Sequence, residues 1–282
     1  VHHSMAEGVP VSRTRTIWEI VIVLSLSYGA AGVFAVVSII ERLTRDQPLS
    51  QQTAQLNRPA AQQAILDLTL QLLNFAFGLA PVALVVFLVW RHTAPHLGAL
   101  GLGRAKSDFA GLPGGLAAIT GQPRRLWPLE ALQGLGLAAL IGIPGLAFYL
   151  VTKAIGINVT IETTSLAAHW WTIPVLVLMA LKAALGEEII VVAYLFTRLR
   201  SLGVSVTVII ISSALLRGSY HLYQGFGGFI GNVVMGLVFG WVYHRYGRVL
   251  PLIIAHWVLD IVSFVGYPLA VALWPTQFGL AS

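Results

Sequence analysis

Long apolar runs, separated by proline, glycine or charge, set the pattern of this chain. A membrane-spanning helix needs about 20 such residues. Eight runs approach that size: Ile17 to Ile40, Leu68 to Trp90, Ala131 to Val151, Trp171 to Phe196, Val204 to Tyr223, Phe226 to Tyr243, Leu250 to Val265 and Tyr267 to Phe278. They predict an all-α polytopic membrane protein, an eight-helix transmembrane bundle forming a single domain over residues 17–282. Pro251 and Pro268 stand at the starts of the last two runs, which are short. Two connections are long. Residues 41–67, rich in Gln and carrying Arg42, Arg45 and Arg58, read as a polar loop or a surface helix. Residues 91–130, rich in Gly, Pro and Arg, read as interfacial, with Arg124, Arg125 and Trp127 as head-group anchors.

Composition supports the bilayer. With 57% hydrophobic and 10% charged residues, a soluble globule of 282 residues would lack the polar surface to cover itself. The net charge of +6 sits in short connections between apolar runs, which is the positive-inside pattern and excludes a nucleic-acid footprint. Arg13/Arg15, Arg91 to Arg125, Arg198/Arg200 and Arg245/Arg248 are mutually consistent with one cytoplasmic side, and the eight runs then put both termini there. The long loop with Arg42, Arg45 and Arg58 breaks the rule. The abundance of Arg over Lys, with Ala, Gly and Val, points to a bacterial plasma membrane. Residues 1–16 read as a tag remnant (Val1-His2-His3-Ser4, before Met5) and a cytoplasmic N-terminus. Cysteine is absent, so thiolate ligands and thiol nucleophiles are excluded.

Three acidic residues, Glu187, Glu188 and Asp260, fall inside apolar runs. An ionisable group near the bilayer centre costs roughly 2.5 to 3.5 kcal/mol on insertion scales and persists where it faces a protein interior or a wet cavity. Successive helical residues are about 100° apart, so the adjacent glutamates are expected to point in different directions and to do different jobs. One could activate water while the other holds a neighbouring helix or a cation. His256 and Asp260, four residues apart, share a helix face, as do Arg217 and His221. Bases, imidazoles and a cation on three separate helices can converge on one pocket.

These residues resemble the motifs of the CAAX-processing and bacteriocin-processing (CPBP, or ABI) family of intramembrane endopeptidases. Its Glu-Glu-x-x-x-Arg motif aligns on Glu187 and Glu188, its Phe-x-x-x-His on Arg217 to His221, and its His-x-x-x-Asn/Asp on His256 to Asp260. The resemblance covers about residues 171–265 and implies an eight-helix membrane bundle. Two positions depart from the pattern: Val192 replaces the motif arginine and Arg217 replaces the motif phenylalanine. The two changes are linked if Arg217 supplies the missing cation from the neighbouring helix, with Glu188 as its partner.

The resemblance implies that Glu187 with His221 activates water for attack on a peptide carbonyl, while His256 and Asp260 stabilise the oxyanion. Asp260 suits that role less well than Asn, because an ionised carboxylate cannot donate. It is expected to be protonated, to orient His256 or to bind a metal. Catalysis without a cofactor is one expectation. A divalent metal such as zinc, held by His221, His256, Glu187 and Asp260, is the other. The expected partners are a peptide or membrane-protein substrate and the lipid bilayer. Two rival classes use the same residues: a small ion- or solute-coupled transporter with a buried proton relay, and a catalytically inactive membrane scaffold.

Overall fold

A computed structural model describes residues 12–91, 94–95, 97–103 and 126–273. The expectations placed on residues 1–11, on Arg124 and Arg125, and on the stretch from Trp274 to Phe278 lie outside the described residues. The first apolar run is two helices, α1 (Arg13–Ser25) and α2 (Tyr28–Leu43), set at 51° to each other. The break is local: Ser27 leaves helical geometry and its hydroxyl donates to the Val23 carbonyl at 2.6 Å. A serine that bonds back to its own helix competes with the backbone ladder, and apolarity carries no trace of that competition. The second run is α3 (Ala64–Gly78) continued by α4 (Ala80–Leu88), and the third is α5 (Leu126–Ala154).

The fourth run is one rod, composed of α6 (Thr172–Gly186), a widened π-helical stretch (Glu187–Tyr194) and α7 (Leu195–Ser201). Then follow α8 (Val206–His221) and α9 (Phe226–Tyr246), the latter stopped by Gly247 at φ 64°. The seventh and eighth runs were expected to be separate and are instead one helix. It comprises α10 (Leu250–Ile261), a π-helical stretch (Val262–Gly266) and α11 (Tyr267–Leu273). Pro268 lacks an N–H, and the shift of hydrogen-bond register just before it lets the helix run on. Among the described residues the helices thus form seven rods, with Arg13 and Leu273 at opposite ends. The described residues give no separate eighth rod.

The purely helical expectation also needs correction. Thr53–Asn57 (β1) pairs in parallel with Thr160–Thr164 (β4), and two short strands, Trp90–Arg91 (β2) and Ala94–Pro95 (β3), pair antiparallel. The long 41–67 connection is therefore partly strand. Its partner Thr-Ile-Glu-Thr-Thr is rich in β-branched residues, which suit a pleated surface. The β1–β4 pair caps one end of the bundle, where Val159 and Ala54 pack with Ile39, Leu222 and Tyr223.

The opposite end is tied by arginines. Arg198 donates to Glu19 and, at 2.8 Å, to the Leu88 carbonyl. Arg248 donates to Glu130 at 2.6 Å and to the Gly103 carbonyl at 2.7 Å.

Four helices are long and apolar enough to cross a membrane, or five if the bent α1–α2 pair counts as one span. Only 11% to 39% of their apolar windows is buried in the protein, so their hydrophobic faces point outward, as lipid requires. The rods that fail the test are α6–α7, interrupted by charge, and the 16-residue α8. The first of these lies innermost, its stretch Ile189–Phe196 buried throughout, whereas α8 buries one face, with Ile209 and Ala214, and leaves Val208, Ile211 and Leu215 exposed.

Glu130 is 2% exposed, so its loss removes a buried carboxylate that accepts from the Arg248 guanidinium. Glu130→Ala is expected to destabilise the protein by about 3–5 kcal/mol, and Glu130→Gln by less, measured by equilibrium unfolding in mixed micelles.

Candidate active site

Small residues let α8 and α9 approach closely. A Cβ at Gly236 would lie 2.7 Å from the Ala214 backbone, and one at Gly218 would meet Val233 and Phe229. This packing presses Arg217, on α8, into the bundle centre with no exposure, its guanidinium 5.4 Å from the Phe239 ring centroid. Arg217 Nη2 donates to Glu188 Oε1 at 2.6 Å, and its Nη1 stands 3.5 Å from Glu187 Oε2. The cation expected from the neighbouring helix is there. Val192, at the position of the motif arginine, is fully buried among apolar residues.

Both glutamates reach the same guanidinium because the helix is widened where they sit. A π-helical turn steps through a smaller angle per residue than an α-turn, so adjacent side chains diverge less than the 100° expected of a regular helix. Such stretches recur at functional sites, and sequence periodicity does not announce them. Ser213 helps to hold this one, donating to the Val191 carbonyl at 2.7 Å. Gly186 precedes the pair because the Tyr28 hydroxyl occupies the place of any Cβ there.

The two carboxylates nevertheless have distinct surroundings. Glu188 is fully buried, and its Oε1 also lies 2.7 Å from His256 Nδ1. An ionised carboxylate only accepts, so Nδ1 carries the proton in this contact, and His256 Nε2 is directed to Asp260 Oδ2, 3.5 Å away. Glu187 has one oxygen engaged and one presented. Its Oε2 accepts from the Tyr220 hydroxyl at 2.7 Å, whereas Oε1 lies 3.8 Å from His221 Nε2. That gap is too long for a hydrogen bond and within the span of one bridging water. Both ring nitrogens of His221 are buried, and neither has a hydrogen-bond partner among the described residues.

The structure thus brings together all six residues that the sequence singled out: Glu187, Glu188, Arg217, His221, His256 and Asp260. It adds Tyr220 and Tyr28, whose rings lie 4.9 Å apart beside the pair. Tyr220 had a signal in sequence, its place next to His221 at a helix end. Tyr28 had none, since it comes from the first apolar run.

Ligand atoms of Glu187, Glu188 and His256 lie within 4.8 Å of one another, a grouping with the size of a divalent-cation site. It differs from the expected metal set, taking Glu188 in place of His221 and Asp260. Its charge fits an ion poorly. The Arg217 guanidinium already contacts both carboxylates and would stand against a divalent cation at close range. His256 has also committed Nδ1 to Glu188.

Residues 169–262 match a family described as Rce1-like, the type II CAAX prenyl endopeptidases. The match covers about a third of the chain. No curated protein and no solved structure matches the chain. The matched segment begins just before α6 and ends two residues past Asp260, so it contains every charged group of the cluster, while Tyr28 is contributed from outside it.

Arg217→Ala and Glu188→Ala are each expected to destabilise the protein by about 3–5 kcal/mol, because each strands a buried charge. The double variant should fall short of the sum by about 2–3 kcal/mol. A double-mutant cycle on equilibrium unfolding in micelles measures the coupling, and additivity would show that the pair is not an energetic unit.

Proposed function

We propose that the protein is an intramembrane endopeptidase that hydrolyses peptide bonds with water activated by Glu187 and His221. The carrying observation is the asymmetry of Glu187: Tyr220 and Arg217 engage Oε2, while Oε1 faces an imidazole that has no hydrogen-bond partner among the described residues. A buried carboxylate and an imidazole on either side of one water form a workable general base. The matching family is one of endopeptidases, which agrees with this reading.

In this mechanism Glu187 takes a proton from the water as its oxygen attacks the peptide carbonyl. The proton passes to the leaving amine when the C–N bond breaks. His256 is placed to donate from Nε2 to the carbonyl oxygen when both its nitrogens carry protons, and Glu188 and Asp260 then balance its charge. In a site of low dielectric such a donor stabilises a developing oxyanion strongly. Asp260 acts by orienting His256. Glu188 and Arg217 hold the framework. No metal is needed, since Arg217 supplies the compensating positive charge.

The substrate is a peptide or a membrane-protein segment. The protein is a multi-pass resident of a bacterial plasma membrane, with the arginine-rich end of the bundle and the N-terminal segment in the cytoplasm. A carrier would need a path through the bundle. The continuous apolar core between Arg217 and the arginine-rich end argues against one.

Two outcomes are expected with purified protein and a panel of transmembrane-segment peptides. Glu187→Gln should keep the fold and reduce cleavage by on the order of 10²–10⁴-fold, read by mass spectrometry of the products. Exhaustive chelation should leave wild-type cleavage unchanged, and a loss restored only by added zinc would refute the metal-free mechanism.

A further inference from the structure

The catalytic cluster leaves Lys182, a second cation of the fourth apolar run, without a task. Lys182 stands on the side of α6 that faces α3, one turn after the seam where Trp171, Val175 and Met179 pack with Leu68 and Phe75. Its stem lies over Gly78, where an added Cβ would come within 2.7 Å of Lys182 Cδ. Gly78 is near the middle of the 25-residue span Ala64–Leu88, about 15 Å or more from either end at the rise of an α-helix. Lysines near helix ends snorkel to the head groups, but from this depth the stem is too short.

The ammonium is poorly served where it stands. Nζ donates to Asn74 Oδ1 at 3.1 Å, and among the described residues no carboxylate lies within ion-pair distance of it. An ammonium offers three N–H bonds, and the amide oxygen accepts one without neutralising the charge. Hydrocarbon supplies neither an acceptor nor a counter-ion. Lys182 is half-buried and Asn74 and Gly78 are exposed, so the charge reaches the outer surface of the bundle. Leu70 and Phe77, one turn to either side of Asn74, are exposed as well. The α3–α6 face is thus apolar, with one positive charge at mid-depth.

Nothing described in the chain itself answers that charge. Lys182 precedes Glu187 by five residues, which sets the two about 140° apart around the rod, and the carboxylates of the cluster are already held by Arg217. A second copy of the chain does not supply the anion either. The exposed acids among the described residues, Glu41 and Asp46, stand at the end of α2, and the half-buried Asp260 faces His256.

We infer that the α3–α6 face around Lys182 and Asn74 is an intramembrane docking surface, and that its occupant is a transmembrane helix of another protein carrying a carboxylate near its middle. The carboxylate accepts from Lys182 Nζ and from the Asn74 side-chain amide, while Leu70 and Phe77 pack against the apolar turns on either side. The surface lies away from the catalytic cluster, and the inference does not depend on the endopeptidase reading.

The chain has no cysteine, so Ser201→Cys, at the exposed end of α7, accepts a single donor fluorophore. In vesicles at mildly alkaline pH, energy transfer to labelled Leu/Ala helical peptides of about 20 residues reads association without any cleavage. A peptide with one central Glu should bind about tenfold more tightly than its central-Gln counterpart. Lys182→Met, which keeps the length of the side chain, should abolish the preference. Lys182→Arg, which keeps the charge, should retain it, and this separates loss of the cation from loss of the fold. Equal binding of the two peptides to the wild-type protein would overturn the inference, as would a preference that survives Lys182→Met. Energy transfer between copies of the protein without peptide, lost in Lys182→Met, would make the occupant a second copy and overturn the partner named here.

Discussion

One guanidinium shared by two adjacent carboxylates, all three withdrawn from water, is the constraint on which the rest of the site depends. Neither glutamate could remain charged in a bundle of this apolarity without Arg217, and among the described residues Arg217 has no other acidic neighbour within ion-pair distance. The pair imposes geometry as well as charge balance. It requires the helix to open where the glutamates stand, α8 to lie close enough for a side chain to reach across, and glycine where backbone or tyrosine needs room. The widened stretch Glu187–Tyr194, the close α8–α9 packing at Gly236 and the bare Cα of Gly186 are three answers to that demand.

Burial in this protein is arranged by polarity in the opposite sense to a soluble globule. The longest and most apolar helices stand on the outside, where their side chains remain uncovered by protein. The rod that carries the two glutamates lies innermost, and α8 buries the face that holds Arg217. An ionised group in a bilayer is tolerable only where other helices screen it from hydrocarbon, so the faces least suited to lipid meet at the hub. Arginine ties at one end, from Arg198 and Arg248, and a small two-stranded cap at the other hold the rods in register.

Within the hub the environment separates two chemically identical residues. Glu188 meets both a guanidinium and an imidazole through Oε1, while its Oε2 is buried without a hydrogen-bond partner among the described residues. Glu187, one position earlier, has a tyrosine hydroxyl on one oxygen and an unengaged histidine beyond the other. The two carboxylates differ in their surroundings, but not for the reason expected from helical angles. The side chains diverge less than a regular helix would make them, and the partners around each carboxylate set the difference. The arginine that sits one helical turn after the glutamates in the family pattern sits here on α8, which keeps the charge and moves its point of attachment.

Sequence alone determined the membrane class, because apolar runs of spanning length have no stable alternative in water. It also determined which residues are costly, because a carboxylate, imidazole or guanidinium inside such a run stands out against its neighbours. The pairing of Arg217 with Glu188 was legible for the same reason, since a cation and an anion stranded at similar depths on neighbouring helices must meet. Tertiary structure decided what depends on contacts between distant segments. The seventh and eighth runs are one helix because a change of hydrogen-bond register ahead of Pro268 absorbs its missing donor. The first run is broken because Ser27 bonds back to Val23. The pairing of β1 with β4 joins segments about a hundred residues apart. Tyr28 reaches the site from the first helix pair. Hydrophobicity records what each residue prefers as a solvent, whereas backbone register and the choice of neighbours arise only when the whole chain has folded.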